Sequence, residues 1–205
     1  GDDGPTHHGV FDLSFLRFIP NLVVMAPKDE NELRHMLYTA IFHPGPAAVR
    51  YPRGNGEGVS VEEPLQRLPL GRGELLRQGA DLLLLPVGNR VGPALEAAEG
   101  LAKLGIDAAV INPRFVKPLD ETLICEWAEK TGRVITVEDN VKRGGFGGAV
   151  LELFARKGLH TVQTRLLGLP DTFMEHGTQE QLRHQGRIDV PALVAEALAL
   201  CGKRG

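Results

Sequence analysis

From residue 81 to residue 167 the chain alternates short apolar runs with amphipathic segments, and this alternation constrains its fold more than any other feature. Residues 81–87 read Asp-Leu-Leu-Leu-Leu-Pro-Val, an apolar run without polar alternation, as expected of a strand buried on both faces. Residues 91–104 then place Val91, Ala94, Leu95, Ala98 and Leu101 on one helical face, and Gly105 follows as a C-terminal stop. The pattern repeats. A strand at 106–111 leads to a helix at 120–130 closed by Gly132, and a strand at 133–137 ends in Glu138-Asp139-Asn140. A glycine-rich turn precedes a helix at 149–156. A strand at 161–167 and helices near 179–184 and 191–200 complete the series. This order predicts an α/β fold, an open and mostly parallel sheet with helices on both faces.

A smaller unit of the same kind precedes it. Residues 21–26 read as a buried strand ended by Pro27. Asp29 fits a helix N-cap, with Glu32 three residues on as a capping box requires. Leu33, Met36, Leu37, Ala40 and Ile41 recur at helical spacing until Pro44-Gly45-Pro46 stops the helix. Residues 47–51 form a second strand, ended by Pro52-Arg53-Gly54. The composition then changes: Gly54-Asn55-Gly56-Glu57-Gly58, Glu62-Glu63-Pro64 and Pro69 mark a linker at 57–70. The expected division is 1–56, linker, and 71–205.

Composition excludes several classes. The 205 residues are 42% hydrophobic and 24% charged, as in ordinary globular chains. With a net charge of −3 and scattered Lys and Arg, no basic patch points to nucleic acid, and the tail Lys203-Arg204 is too short to count as one. No apolar run approaches the length needed to span a membrane. Cys125 and Cys201 have no metal-binding spacing and are too few for a disulfide framework. Both fall in apolar helical patterns and read as buried inert thiols, compatible with a reducing compartment.

The chemistry-bearing residues cluster at the start, in Gly1-Asp2-Asp3-Gly4-Pro5-Thr6-His7-His8-Gly9. Glycine and proline fix an irregular backbone there, and Asp and His supply groups that move protons. Such a loop is expected between elements of a folded domain, so the chain is expected to begin in mid-domain. Asp3 and His7 read either as polar residues of an exposed turn or as a proton-transferring pair. Arg53 lies just past a strand end, where open α/β sheets bind ligands; it is either a surface arginine or a group for a phosphate or carboxylate. Arg50, inside the strand, reads as half of a structural ion pair. Gly144-Gly145-Phe146-Gly147-Gly148 resembles a phosphate-cradling loop but lacks both the Gly-x-Gly-x-x-Gly spacing and the P-loop Lys-Ser/Thr, so a tight turn with close helix packing is preferred. Glu138 and Asp139 read as solvated strand-end carboxylates, with cation binding as the alternative. His176 has no evident partner. His8, His35, His43, His160 and His184 show no ligand spacing, and no metal is assigned. Trp127, Phe146 and Phe154 read as core or interface aromatics.

Several stretches carry a resemblance. Gly4-Pro5-Thr6-His7, Phe11-Asp12-Leu13-Ser14-Phe15-Leu16-Arg17, the run from Ile19 to Pro27, and Asp29-Glu30-Asn31-Glu32 resemble the transketolase-like thiamine diphosphate enzymes. The likeness extends through Val137-Glu138-Asp139 and the glycine-rich turn over essentially the whole chain. It implies that 1–56 is the C-terminal part of a middle, pyrimidine-binding-type domain. It also implies that 71–205 is a transketolase C-terminal-type domain. Gly9-Val10-Phe11-Asp12-Leu13-Ser14 and the run from Ala48 to Gly56 resemble one branch of the family. That branch decarboxylates pyruvate and joins the product to D-glyceraldehyde 3-phosphate, feeding isoprenoid, thiamine and pyridoxal synthesis.

The resemblance implies thiamine diphosphate and Mg2+ as cofactors, held mainly by an N-terminal part of the same enzyme that is not in this chain. By the same resemblance Asp3 would contact hydroxyls of the intermediate or acceptor, His7 would hold or shuttle a proton, and Arg53 would bind the acceptor's phosphate. Further implications are a homodimer, a bacterial cytoplasmic or plastid stromal location, and no activity of this chain in isolation. Two other readings stand beside this one: a transketolase moving two-carbon units between sugar phosphates, and a non-catalytic dimerisation or assembly module.

Overall fold

The structure, a computed structural model, describes residues 1–61 and 64–203. Glu62 and Glu63 of the expected linker, and Arg204 of the basic tail, lie outside the described residues. The first unit holds α1 (Asp12–Leu16), β1 (Val23–Met25), α2 (Glu30–Ile41) and β2 (Ala47–Val49). The second holds β3 (Glu74–Arg77), β4 (Leu82–Pro86), a 3-10 turn (Gly88–Arg90), α3 (Val91–Lys103), β5 (Ala108–Asn112), β6 (Phe115–Lys117) and α4 (Glu121–Thr131). It continues through β7 (Arg133–Val141), α5 (Phe146–Lys157), β8 (Gln163–Leu169), α6 (Gln179–Gln185) and α7 (Val190–Leu200).

The larger sheet has the order β3-β5-β4-β7-β8, parallel except for the antiparallel edge strand β3. Its central strands are apolar throughout because both faces are covered. Leu82 and Leu84 pack with Ala94, Ala98 and Leu101 of α3 and with Leu193 and Ala197 of α7. Leu83 and Leu85 belong to the opposite face, with Ile124 and Trp127 of α4 and with Phe146, Val150 and Phe154 of α5. The three aromatics expected in the core are there. Helix ends follow local chemistry: the Asp120 carboxylate accepts from Leu123 N at 3.1 Å to start α4, and Gly132 ends it at φ 65°, a conformation glycine adopts without strain.

Two short strands and one short helix have no counterpart in the sequence reading. β3 and β6 span four and three residues and α1 spans five, too few for periodicity to register. β6 matters most, because it pairs antiparallel with β1 and makes a three-stranded sheet of order β2-β1-β6. A strand from the second unit thus completes the sheet of the first. Glu32 ties the same junction. Asp29 caps α2 as expected, its carboxylate accepting from Glu32 N at 2.7 Å, but Glu32 does not close the box. Its carboxylate is buried and accepts from Lys28 N, Asn112 Nδ2 and Arg114 Nε, each at 2.8 Å. The apolar stripe of α2 is also wider than the small sheet beneath it: Met36 is fully buried, whereas Leu37 and Ile41 are exposed.

β7 runs beyond the expected stop at 137, through Glu138, Asp139 and Asn140 to Val141. Polar residues continue a buried strand when each finds a partner. Glu138 accepts from Phe146 and Gly147 amides, Asp139 from Asn89 Nδ2, and Asn140 Oδ1 from Leu13 N. The same Glu138 contacts start α5 at Phe146 rather than at 149. Cys125 and Cys201 are half-buried, not buried, and burial pushes both thiols up.

Candidate functional site

The carboxyl ends of β2, β7 and β8 converge on a cleft of about 420 Å³, within the size range of small-ligand pockets. The segment after β2 contributes Arg50, Tyr51, Pro52 and Arg53, and β7 contributes Asp139. The loop before α1 contributes Asp3 and His7, and α6 contributes Gln179 and Arg183. The three residues singled out by their chemistry, Asp3, His7 and Arg53, therefore line one cavity.

The first loop is shaped by Gly4, which is buried at φ 77° and whose carbonyl accepts from His7 N at 3.1 Å. A Cβ at Gly4 would sit 3.6 Å from Cβ of His176, so the 173–177 loop backs directly onto it. This is the place of His176, whose role the sequence left open. His7 is exposed, and its Nδ1 lies 2.9 Å from Thr6 Oγ1. Asp3 forms an ion pair with Arg53, whose side chain is 85% exposed. An ion pair so open to water contributes at most about 1 kcal/mol, so the guanidinium can exchange it for a bidentate anion at little cost. Exchange would free Asp3 to accept from a hydroxyl. The exposed imidazole of His7 lines the same cleft.

The cleft also holds a cluster of charged groups around Arg50, Asp139 and Arg183. Arg50 makes the expected ion pair, its Nε 3.4 Å from Asp12, and its Nη2 donates to the carbonyls of Gly9 (3.2 Å) and Asp139 (2.6 Å). The Asp139 carboxylate accepts from Asn89 Nδ2 at 3.3 Å and lies 3.5 Å from Arg183 Nη2. Burial pushes Asp139 up, but Arg50, Arg90 and Arg183 together with Asn89 outweigh it and hold the carboxyl below its ordinary value. Arg90 is buried and donates to Asn89 Oδ1 and the Ile188 carbonyl. Burial, helped by the like charge of Arg183, lowers its pKa to about 10.

The glycine-rich turn is elsewhere. None of residues 144–148 lines this cleft. Its amides are already taken: Glu138 Oε2 accepts from Phe146 N at 2.8 Å and Oε1 from Gly147 N at 2.9 Å. Side chains at Gly145 or Gly147 would collide with Glu138 or Thr136, so close packing explains the glycines. Arg17 of the first unit donates to the carbonyls of Gly144 and Gly145, docking the α1 segment on the turn. The expectation of solvated carboxylates fails for both Glu138 and Asp139. Glu138 is fully buried, and burial raises its pKa to about 7 against the Gly147 and Phe146 amides. Among the described residues no group of three or more His, Cys, Asp and Glu side chains could share a metal ion. Nothing local in the sequence distinguishes Asn89, Gln179 and Arg183; only the fold brings Gln179 and Arg183 to the cleft and Asn89 to Asp139.

Residues 1–58 match the family model of the transketolase pyrimidine binding domain, and residues 71–193 match that of the transketolase C-terminal domain. The chain belongs to the transketolase family. Among proteins similar to it, the 1-deoxy-D-xylulose-5-phosphate synthase of Desulfotalea psychrophila is 59% identical, covering 99% of this chain and 32% of that protein. The 1-deoxy-D-xylulose-5-phosphate synthase 1 of Geobacter metallireducens is 60% identical, covering 95% and 31%. The chain spans about a third of the length of these relatives. A solved structure described as a split gene transketolase, inactive beta4 tetramer, superposes with TM-score 0.86 at 30% identity, covering 98% of this chain and 65% of that one. Campylobacter jejuni transketolase superposes with TM-score 0.71 at 24% identity, a likeness of fold, over 97% of this chain and 29% of that one. In this transketolase-family chain the two matched regions meet at the cleft, the first supplying Asp3, His7 and Arg53 and the second Asp139, Gln179 and Arg183. No helix among the described residues is long and apolar enough to cross a membrane.

Proposed function

We propose that this chain is the C-terminal portion of an enzyme that decarboxylates pyruvate and joins the two-carbon product to D-glyceraldehyde 3-phosphate, giving 1-deoxy-D-xylulose 5-phosphate. That product is a precursor of isoprenoids, thiamine and pyridoxal. The observation that carries the reading is the convergence of Asp3, His7 and Arg53 on one cleft at strand carboxyl ends. The names and identities of its relatives support it. Arg53 would bind the acceptor's phosphate, exchanging Asp3 for a doubly charged partner. Asp3 would accept from substrate hydroxyls, and His7 would move a proton at the reacting oxygen. We take 1–56 as part of the pyrimidine-binding domain, 57–70 as linker and 71–205 as the C-terminal domain.

The family implies thiamine diphosphate. The start of α5, the natural anion cradle of this sequence, is closed by Glu138, and no metal-ligand group is present among the described residues. The cofactor, when bound, supplies the electron sink that lets pyruvate lose carbon dioxide. Its diphosphate and Mg2+ would be held by the N-terminal part of the enzyme, outside this chain. The chain would therefore be inactive alone and work in a homodimeric, cytoplasmic assembly. The neighbour described as a split gene transketolase and inactive tetramer supports that dependence.

The test joins this chain with the remaining region of such an enzyme, thiamine diphosphate and magnesium. Carbon dioxide release from pyruvate is followed with and without D-glyceraldehyde 3-phosphate. Release that requires the acceptor and both pieces is expected. Consumption of a ketose phosphate without carbon dioxide release would replace the reading with transketolase two-carbon transfer. Silence on both donors would leave an assembly module.

A further inference from the structure

Helix α6 touches the site at two points. The Gln179 side-chain amide donates to the main-chain carbonyl of Arg53, across 126 residues of sequence. A Cβ at Gly54 would lie 3.3 Å from Gln179 Nε2, so a side chain at that position would crowd the contact. One turn further along the same helix face, Arg183 pairs with Asp139, whose own carbonyl holds Arg50. α6 thus grips the segment after β2 through Gln179 and the end of β7 through Arg183. The helix has no fully buried residue; its start is held by a complete capping box of Thr178 and Gln181. Apart from partly buried Leu182, which packs against the core, polar contacts of this kind hold it in place.

We propose that Gln179 is a positioning residue for substrate binding, holding the Arg53 main chain so that its guanidinium stays at the cleft. Arg53 has few other anchors: its side chain is largely in water and its side-chain partner, Asp3, is itself exposed. The segment is also held on either side of Arg53, by Arg50 N–H on the Met25 carbonyl and by the amides of residues 57–59 on Glu30, so Gln179 acts on the stretch between these anchors. Removing its donor lowers pre-organisation there, and the cost falls on the ligand that must reorder it. The proposal rests on the reading of Arg53 as the phosphate-binding group. It adds that the C-terminal domain takes part in acceptor selection through a residue that need not touch the acceptor.

The test uses the enzyme containing this chain, with the variants Gln179→Ala, Arg53→Ala and the double variant. KM is measured for D-glyceraldehyde 3-phosphate, for unphosphorylated glyceraldehyde and for pyruvate. Gln179→Ala is expected to raise KM for the phosphorylated acceptor about 3- to 10-fold, the size of one neutral hydrogen bond, leaving the other two KM values and kcat within about twofold. In the Arg53→Ala background the same change should add nothing, because the positioned group is gone. A Gln179→Ala effect shared equally by both aldehydes, or persisting in the double variant, would reduce Gln179 to a structural role and overturn the proposal. If Arg53→Ala itself fails to separate the two aldehydes, the phosphate reading falls, and this inference with it. Wild-type-like KM values for Gln179→Ala beside a phosphate-selective Arg53→Ala would overturn the inference alone.

Discussion

The cleft at the end of β7 and the glycine-rich turn behind it are built around adjacent carboxylates that face opposite sides of the same strand. Asp139 points among guanidinium groups and is held ionised, below its ordinary pKa, despite its burial. Glu138 points into the packed face under α5 and meets two backbone amides, and burial lifts its pKa to about 7. One carboxylate belongs to an open site ready for charged ligands; the other fills a helix start that would otherwise attract an anion. A glycine-rich turn ahead of a helix is therefore an anion site only while its amides remain free. The same contrast separates the two glycine-bearing loops. Residues 1–9 keep Asp3 and His7 exposed at the cleft, whereas residues 144–148 contribute close packing.

The largest expected effect falls on the open side. In the assembled enzyme, replacing His7 with Ala should lower kcat by about 10²- to 10⁴-fold, the range for removing a proton-transferring side chain. Steady-state assays with both substrates would measure it. An unchanged kcat would make the first loop as structural as the second and dissolve the contrast.

The closed side should respond in stability. Because the folded pKa of Glu138 lies above its unfolded value, its protonated form stabilises the fold fully below about pH 4.5. That contribution is lost as pH rises through about 7. Across this window the loss amounts to about 3 kcal/mol. The Glu138→Gln variant cannot ionise and should lose that slope, as read from urea unfolding at a series of pH values. Asp139 carries the opposite sign: its contribution is present above its unfolded pKa and disappears as pH falls. Equal slopes in the wild type and the Glu138→Gln variant would show that the two carboxylates do not differ as described.

Arg53→Ala comes next. It should raise KM for the phosphorylated acceptor by about 10- to 100-fold while leaving that for pyruvate nearly unchanged, as expected for losing one charge-assisted pair. Equal effects on both substrates would remove the phosphate role and leave Arg53 an exposed partner of Asp3.

The same division decides what could be read from the sequence. The alternation from β4 to α5 was legible because burial on two faces imposes long apolar runs and helical spacing on local residues. Asp3, His7 and Arg53 stood out through residue type and strand-end position. β3, β6 and α1 did not, because three to five residues carry no period and their partners come from distant parts of the chain. The extension of β7 was hidden for a related reason. Glu138, Asp139 and Asn140 look like a solvated strand end until Phe146, Asn89 and Leu13 are brought to them. Gln179 and Arg183 sit on a helix that was foreseen, yet only the tertiary fold turns that helix toward the cleft.

The smallest expected effect concerns that helix. α6 borders the open side and buries no residue fully, whereas α5 on the closed side buries Phe146, Val150 and Leu153. α6 should therefore open locally at a lower free energy than α5. Thr178 accepts from Gln181 N at 3.2 Å, and Gln181 Oε1 accepts from Thr178 N at 3.1 Å. Replacing Thr178 with Ala removes the cap and should cost about 1 kcal/mol. Because the loss is confined to a helix whose one core contact, Leu182, is only partly buried, the global unfolding midpoint should barely move. Amide exchange within residues 179–185 should quicken about fivefold, while amides of α5 keep their protection. Matching acceleration in both helices would mean that the cleft wall and the packed face unfold together, and the two sides of β7 would then differ in charge but not in local stability.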